Sequence, residues 1–124
     1  MIDFENASFI KLTQSDPNAA WDALQGLLIP GEEILMAFKG VRDSVTFTNK
    51  RIVVLNAQGI TGKKKDYTSL PYNRIQAFSV ETSGTFDSDT ELQLWFSSLG
   101  LVRFEFGRGT DIRSVNYLIA NHVL

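Results

Sequence analysis

The sequence predicts a mainly β, α+β fold: a seven-stranded antiparallel barrel or orthogonal sandwich, closed by a C-terminal helix and preceded by an N-terminal helical extension. Three observations carry this expectation. Short runs of alternating polar and apolar residues recur between polar turns. These runs follow one another without strand-helix-strand alternation, which disfavours a parallel sheet. Nine Phe, three Tyr and two Trp supply flat, stiff side chains that fill a pleated, half-buried surface.

Residues 1–30 read as the helical extension and residues 31–124 as the domain that follows it. Phe4, Phe9, Ile10 and Leu12 are apolar without clean alternation, which predicts an irregular or helical lead-in. Asp16 is placed to cap a helix, and Pro17, lacking an N–H, suits its first position. Ala20, Trp21, Leu24, Leu27 and Leu28 then recur at helical spacing until Pro30-Gly31 stops the helix.

Glu33 to Lys39 is the first expected strand, bending at Gly40-Val41. Ser44 to Thr48 and Arg51 to Leu55 form a hairpin about Asn49-Lys50, and a further strand starts at Lys63-Lys64-Lys65. Pro71 ends that strand, because it removes an amide and restrains its predecessor. Phe78, Val80 and Thr82 share one face of the next strand.

The last two strands alternate most cleanly. Leu92, Leu94 and Phe96 face the core from one, and Val102, Phe104 and Phe106 from the other. A turn at Ser98-Leu99-Gly100, with Gly100 left-handed, places Phe96 opposite Val102, Leu94 opposite Phe104 and Trp95 opposite Arg103. Thr110 or Asp111 caps a final helix whose stripe is Ile112, Val115, Leu118 and Ile119.

At 124 residues, with 44% apolar and 21% charged side chains, the chain is one domain able to bury its own core. It has no cysteine, so disulfides and thiolate chemistry are excluded and nothing points to an oxidising compartment. The N-terminal residues are acidic where a signal peptide is basic, and no apolar run has membrane-spanning length, so a cytoplasmic protein is expected. A net charge of −2 lacks the positive field of a nucleic-acid binder.

A sharper likeness lies in particular residues. Arg42-Asp43 through Phe47-Thr48-Asn49-Lys50-Arg51-Ile52, then Gln58-Gly59-Ile60-Thr61-Gly62-Lys63-Lys64, resembles the bacterial pleckstrin-homology domain family. Leu70-Pro71-Tyr72, Arg74-Ile75, Phe78 to Thr82 and the run Phe86-Asp87-Ser88-Asp89-Thr90-Glu91-Leu92 extend the likeness, which covers residues 31–124. The resemblance implies a pleckstrin-homology-like barrel without enzymatic activity or cofactor, and assembly into symmetric homo-oligomers.

The residues themselves leave few chemical sites. His122 is the single histidine, and no Gly-x-Ser-x-Gly turn exists, so no nucleophile-base pair can be assembled. Asp87, Asp89 and Glu91 have the spacing that opens a calcium loop, but the remaining ligands and the glycine do not follow. Lys50, Arg51, Lys63, Lys64 and Lys65 are the one basic concentration, readable as an anionic-membrane contact or as a lysine-protected strand edge.

Trp95 lies on a face that Gln93, Arg103 and Glu105 mark as outward. It belongs either to an interface, with Arg103, or beneath the N-terminal helix whose Trp21, Leu24 and Leu28 need a partner. The expected function is therefore a self-associating interaction module for protein or peptide partners. The alternative is a peripheral sensor of anionic lipids.

Overall fold

Alternation along the chain becomes one continuous curled sheet. The structure, a computed structural model, describes residues 1–58, 63–82 and 89–124. Its strands are β1 (Ser8–Gln14), β2 (Ile34–Lys39), β3 (Asp43–Thr48), β4 (Arg51–Gln58), β5 (Lys64–Pro71), β6 (Ile75–Glu81), β7 (Thr90–Phe96) and β8 (Gly100–Phe106). Among the described residues, two helices, α1 (Pro17–Ala23) and α2 (Ile112–Val123), and one 3-10 turn at Tyr72–Arg74 complete it. The strand order is β5-β4-β3-β2-β1-β8-β7-β6, so the described strands form a half-barrel with β5 and β6 at its free edges.

The described residues thus form eight strands where seven were expected, and the additional one is β1. The segment read as an irregular or helical lead-in pairs antiparallel with β2 and parallel with β8, the one parallel pairing among the described strands. Its register shifts between Phe9 and Leu12, and Lys11 takes a φ of 55°. This irregularity adds a residue, so Phe9 and Leu12 both point inward although three positions apart. The period-two signal of a strand is lost there for that reason.

The expected helix is also shorter. Asp16 accepts a hydrogen bond from Asn18 N at 2.9 Å and Pro17 occupies the first turn, as the sequence indicates. The helix ends at Ala23, and Gly26 turns the chain with a φ of 88°.

The inner face holds the core. Phe38 lies against Phe106, with ring centroids 4.7 Å apart, and edge-on to Phe47 at 5.8 Å, while Phe104 stacks on Phe9 at 5.6 Å. Helix α2 covers this core with Ile112, Val115, Leu118 and Ile119, all buried. Asp111 caps it, accepting from Arg113 N at 3.1 Å and from Ser114 Oγ at 2.9 Å.

The β7–β8 hairpin has a different register from the expected one. Phe96 pairs with Gly100, Leu94 with Val102 and Leu92 with Phe104. The intervening loop is Ser97 to Leu99, in which Ser98 takes the left-handed conformation (φ 69°). Gly100 has the expected positive φ, 131°, and a Cβ there would meet the Phe4 carbonyl oxygen at 3.0 Å. Gly100 pairs with Phe96 and so opens β8 rather than lying inside the turn.

Candidate functional site: the outer face of β6, β7 and β8

The hairpin register decides which side chains share the outer face. Trp95 stands opposite Ala77 on β6 and Leu101 on β8, not opposite Arg103. Two residues along each strand, Ser79, Gln93 and Arg103 form a polar row; two further, Glu81, Glu91 and Glu105 form a row of carboxylates. The face is therefore graded, apolar at one end and acidic at the other. A shallow depression of about 150 Å³ at the apolar end is lined by Ala77, Phe78, Ser79, Gln93, Trp95 and Leu101.

Trp95 is 46% exposed, so no helix lies over it. Helix α1 instead packs on β2. Leu24 is only 2% exposed and is used within the fold, which removes it from the expected interface set. Leu28 is half-buried, while Trp21 remains 49% exposed. Arg103 forms an ion pair with Glu91 and directs its charge along the face.

Like charges directly opposite across strands oppose one another. Burial raises the Glu105 carboxyl above its ordinary value, with the neighbouring Asp89 and Glu91 adding to the rise and Lys11 opposing it. A raised folded-state value means that this group favours the fold when protonated, and that the benefit is lost as pH rises through that value. Glu105→Gln is accordingly expected to stabilise the protein by about 0.5 kcal/mol at neutral pH. The gain should vanish near pH 4, as thermal unfolding at the two pH values will show.

The basic residues do not form one cradle. Arg51 pairs with Pro71 and Ala57 with Lys65, so Arg51 and Lys65 lie near opposite ends of the β4–β5 hairpin. Six residues of strand separate Arg51 from Ala57, roughly 20 Å. Successive antiparallel turns alternate between the two ends of a sheet, and that separates Lys50 and Arg51 from Lys63, Lys64 and Lys65.

Arg51 is committed elsewhere. Its Nε donates to Glu32 Oε2 and its Nη2 to Glu32 Oε1, both at 2.9 Å, while Nη2 also donates to the Leu27 carbonyl at 2.8 Å. Lys50, Lys63, Lys64 and Lys65 are exposed. Lys65 instead borders a depression with Lys39, Arg42 and Asp43, a grouping that only the strand register reveals.

His122 lies near the end of α2, its Nδ1 bonded to the Leu118 carbonyl at 2.7 Å and its ring 4.8 Å from that of Tyr72. Asp87 lies outside the described residues. Among the described residues, no group of three or more His, Asp or Glu stands where it could hold a metal, and no helix is long and apolar enough to cross a membrane.

The sequence matches the family model described as "Bacterial PH domain" over residues 3–123. Among curated proteins it is similar to "Uncharacterized protein YjqA" of Bacillus subtilis (strain 168), at 42% identity over 104 residues, covering 82% of this chain and 83% of the relative. "Uncharacterized protein YozO" of the same organism is 36% identical over 100 residues, covering 81% and 86%. A solved DUF1696-family protein with a pleckstrin-homology domain from Shewanella loihica PV-4 superposes with a TM-score of 0.81 at 37% identity, over 93% of this chain and 99% of that one. A pleckstrin-homology domain from Shewanella amazonensis SB2B gives 0.69 at 42% identity, over 89% and 90%.

Proposed function

Because the chain belongs to the bacterial PH domain family, we propose that it is a noncatalytic, cytoplasmic interaction module that self-associates through the outer face of β6 to β8. The observation that carries this is Trp95: a large aromatic side chain, 46% exposed, in an apolar strip with Ala77 and Leu101. An exposed tryptophan among small and apolar neighbours is a side chain favoured at interface centres. The cysteine-free sequence supports the cytoplasmic assignment.

A second apolar area supports contact between copies. Trp21, Leu27, Ile29 and Leu35 are 49%, 42%, 53% and 40% exposed about the connection from α1 to β2. Two apolar areas on different elements suit a head-to-tail contact, which closes into a ring when the rotation permits.

The lipid-sensor alternative is weaker. Arg51 is engaged by the fold, and the remaining lysines of its expected site are divided between two ends of a hairpin.

Light scattering on the purified protein tests the proposal. The wild type is expected as a multimer, and Trp95→Ala and Trp21→Ala are expected to lower its mass without changing the circular dichroism spectrum. A monomeric wild type, or an unchanged multimer in both variants, overturns it.

A further inference from the structure

We infer that the free edge of β6 accepts an extended peptide segment of defined chemistry, added antiparallel as a further strand. This deepens the reading of the outer β6–β8 face as an interaction surface and rests on it. The edge is the end of the sheet order, so one side of the β6 backbone has no strand partner among the described residues. Such an edge is a template for strand addition unless something blunts it. Between Ile75 and Glu81 no proline and no lysine stands on it.

Both faces of β6 specify what the added strand carries. Inward, Phe78 and Val80 pack against the core but remain half-buried on the edge strand. An incoming strand therefore presents two β-branched apolar side chains on that side. Outward, it meets Ala77, Ser79 and Glu81 in turn, and behind these Trp95, Gln93 and Glu91.

The outward side chains thus run from apolar, beside Ala77 and Trp95, through small and polar, beside Ser79, to basic, beside Glu81. The basic requirement is set by an excess of carboxylates at that end. Glu81, Asp89, Glu91 and Glu105 gather there, and Arg103 is ion-paired with Glu91. In an antiparallel addition the cation comes first in the segment and the apolar anchor four residues later.

A fluorescein-labelled peptide, Ser-Arg-Val-Thr-Val-Leu-Ser, places Arg beside Glu81, the two Val beside Val80 and Phe78, and Leu beside Ala77. Saturable anisotropy binding to the full chain is expected. It should weaken roughly tenfold on Glu81→Lys, which replaces an attraction by a repulsion. Trp95→Ala should weaken it too, through loss of the anchor's neighbour. Replacing the central Thr-Val by Pro-Pro removes a donor whichever alternate amides face β6, and is expected to abolish binding.

Absence of saturable binding overturns the inference, as does equal affinity for the Pro-Pro peptide or for Glu81→Lys. If Glu81→Lys disperses a wild-type multimer that the peptide neither binds nor competes, the edge belongs to β5 of a second copy, with Lys63, Lys65 and Tyr67, and the inference falls. A multimer sensitive to Trp95→Ala but indifferent to the peptide leaves self-association intact and removes only this inference. A monomer that binds the peptide does the reverse.

Discussion

Removing residues 1–14 is expected to abolish cooperative folding, seen as loss of the thermal transition in circular dichroism. Strand β1 is not an appendage: it lies between β2 and β8 and joins the two halves of the sheet. Without it, β5 to β2 and β8 to β6 have no shared ladder. Its Leu12 is wholly buried, and its Phe9 stacks on Phe104. The point substitution Leu12→Ala is expected to cost about 3 kcal/mol, from lost transfer energy and the cavity left behind. A truncated chain that melts cooperatively near the wild-type temperature would show that the two halves hold together through α2 and the core alone.

The second large effect is expected at the buried ion pair. Glu32 has a fully buried side chain, and Arg51 meets it through two guanidinium nitrogens. Thr48 Oγ1 donates to the same carboxylate at 2.6 Å and Ile29 N at 3.1 Å. The cluster ties the loop before β2 to the β3–β4 turn. Arg51→Ala strands a buried carboxylate and is expected to cost about 3 kcal/mol in denaturant unfolding. Changing both partners together, Arg51→Met with Glu32→Leu, should recover much of that loss, because a buried pair often exchanges for apolar residues at little cost.

The same cluster predicts a pH dependence. Burial by itself raises the Glu32 carboxyl, but the hydrogen bonds from Arg51, Thr48 and Ile29 and the charge of Arg51 outweigh it, and the net shift is downward. A lowered folded-state value contributes stability above the ordinary glutamate range, which is lost as pH falls through the folded value. Wild-type stability should therefore decline on acidification more steeply than that of the double variant, which lacks both charges.

Much of this fold is legible in the sequence. The strands from Ile34 to Phe106, the stripe of α2 and a cap at Thr110 or Asp111, of which the structure uses Asp111, follow from alternation, helical spacing and capping chemistry, each a property of a few neighbouring residues. The family followed from the quoted runs of residues. Strand β1 was not legible, because the irregularity at Lys11 breaks the period that identifies a strand. The early end of α1 was hidden for a related reason: Leu24, Leu27 and Leu28 keep helical spacing in sequence although the chain has already left the helix.

The candidate site divides in the same way. Trp95 and Arg103 were marked as outward by alternation alone, which depends only on parity along a strand. Their neighbours were not, since a three-residue loop at Ser97 to Leu99 sets the register, and a shift of two residues preserves every inward and outward assignment while changing every partner. The Glu81-Glu91-Glu105 row, the separation of Arg51 from the lysines and the Arg51–Glu32 pair all arise from residues distant in sequence. From β2 to α2 the sequence by itself determined which side chains face the core, because burial there follows local periodicity. The tertiary structure decided which of the outward ones meet, because that depends on register and strand order between segments.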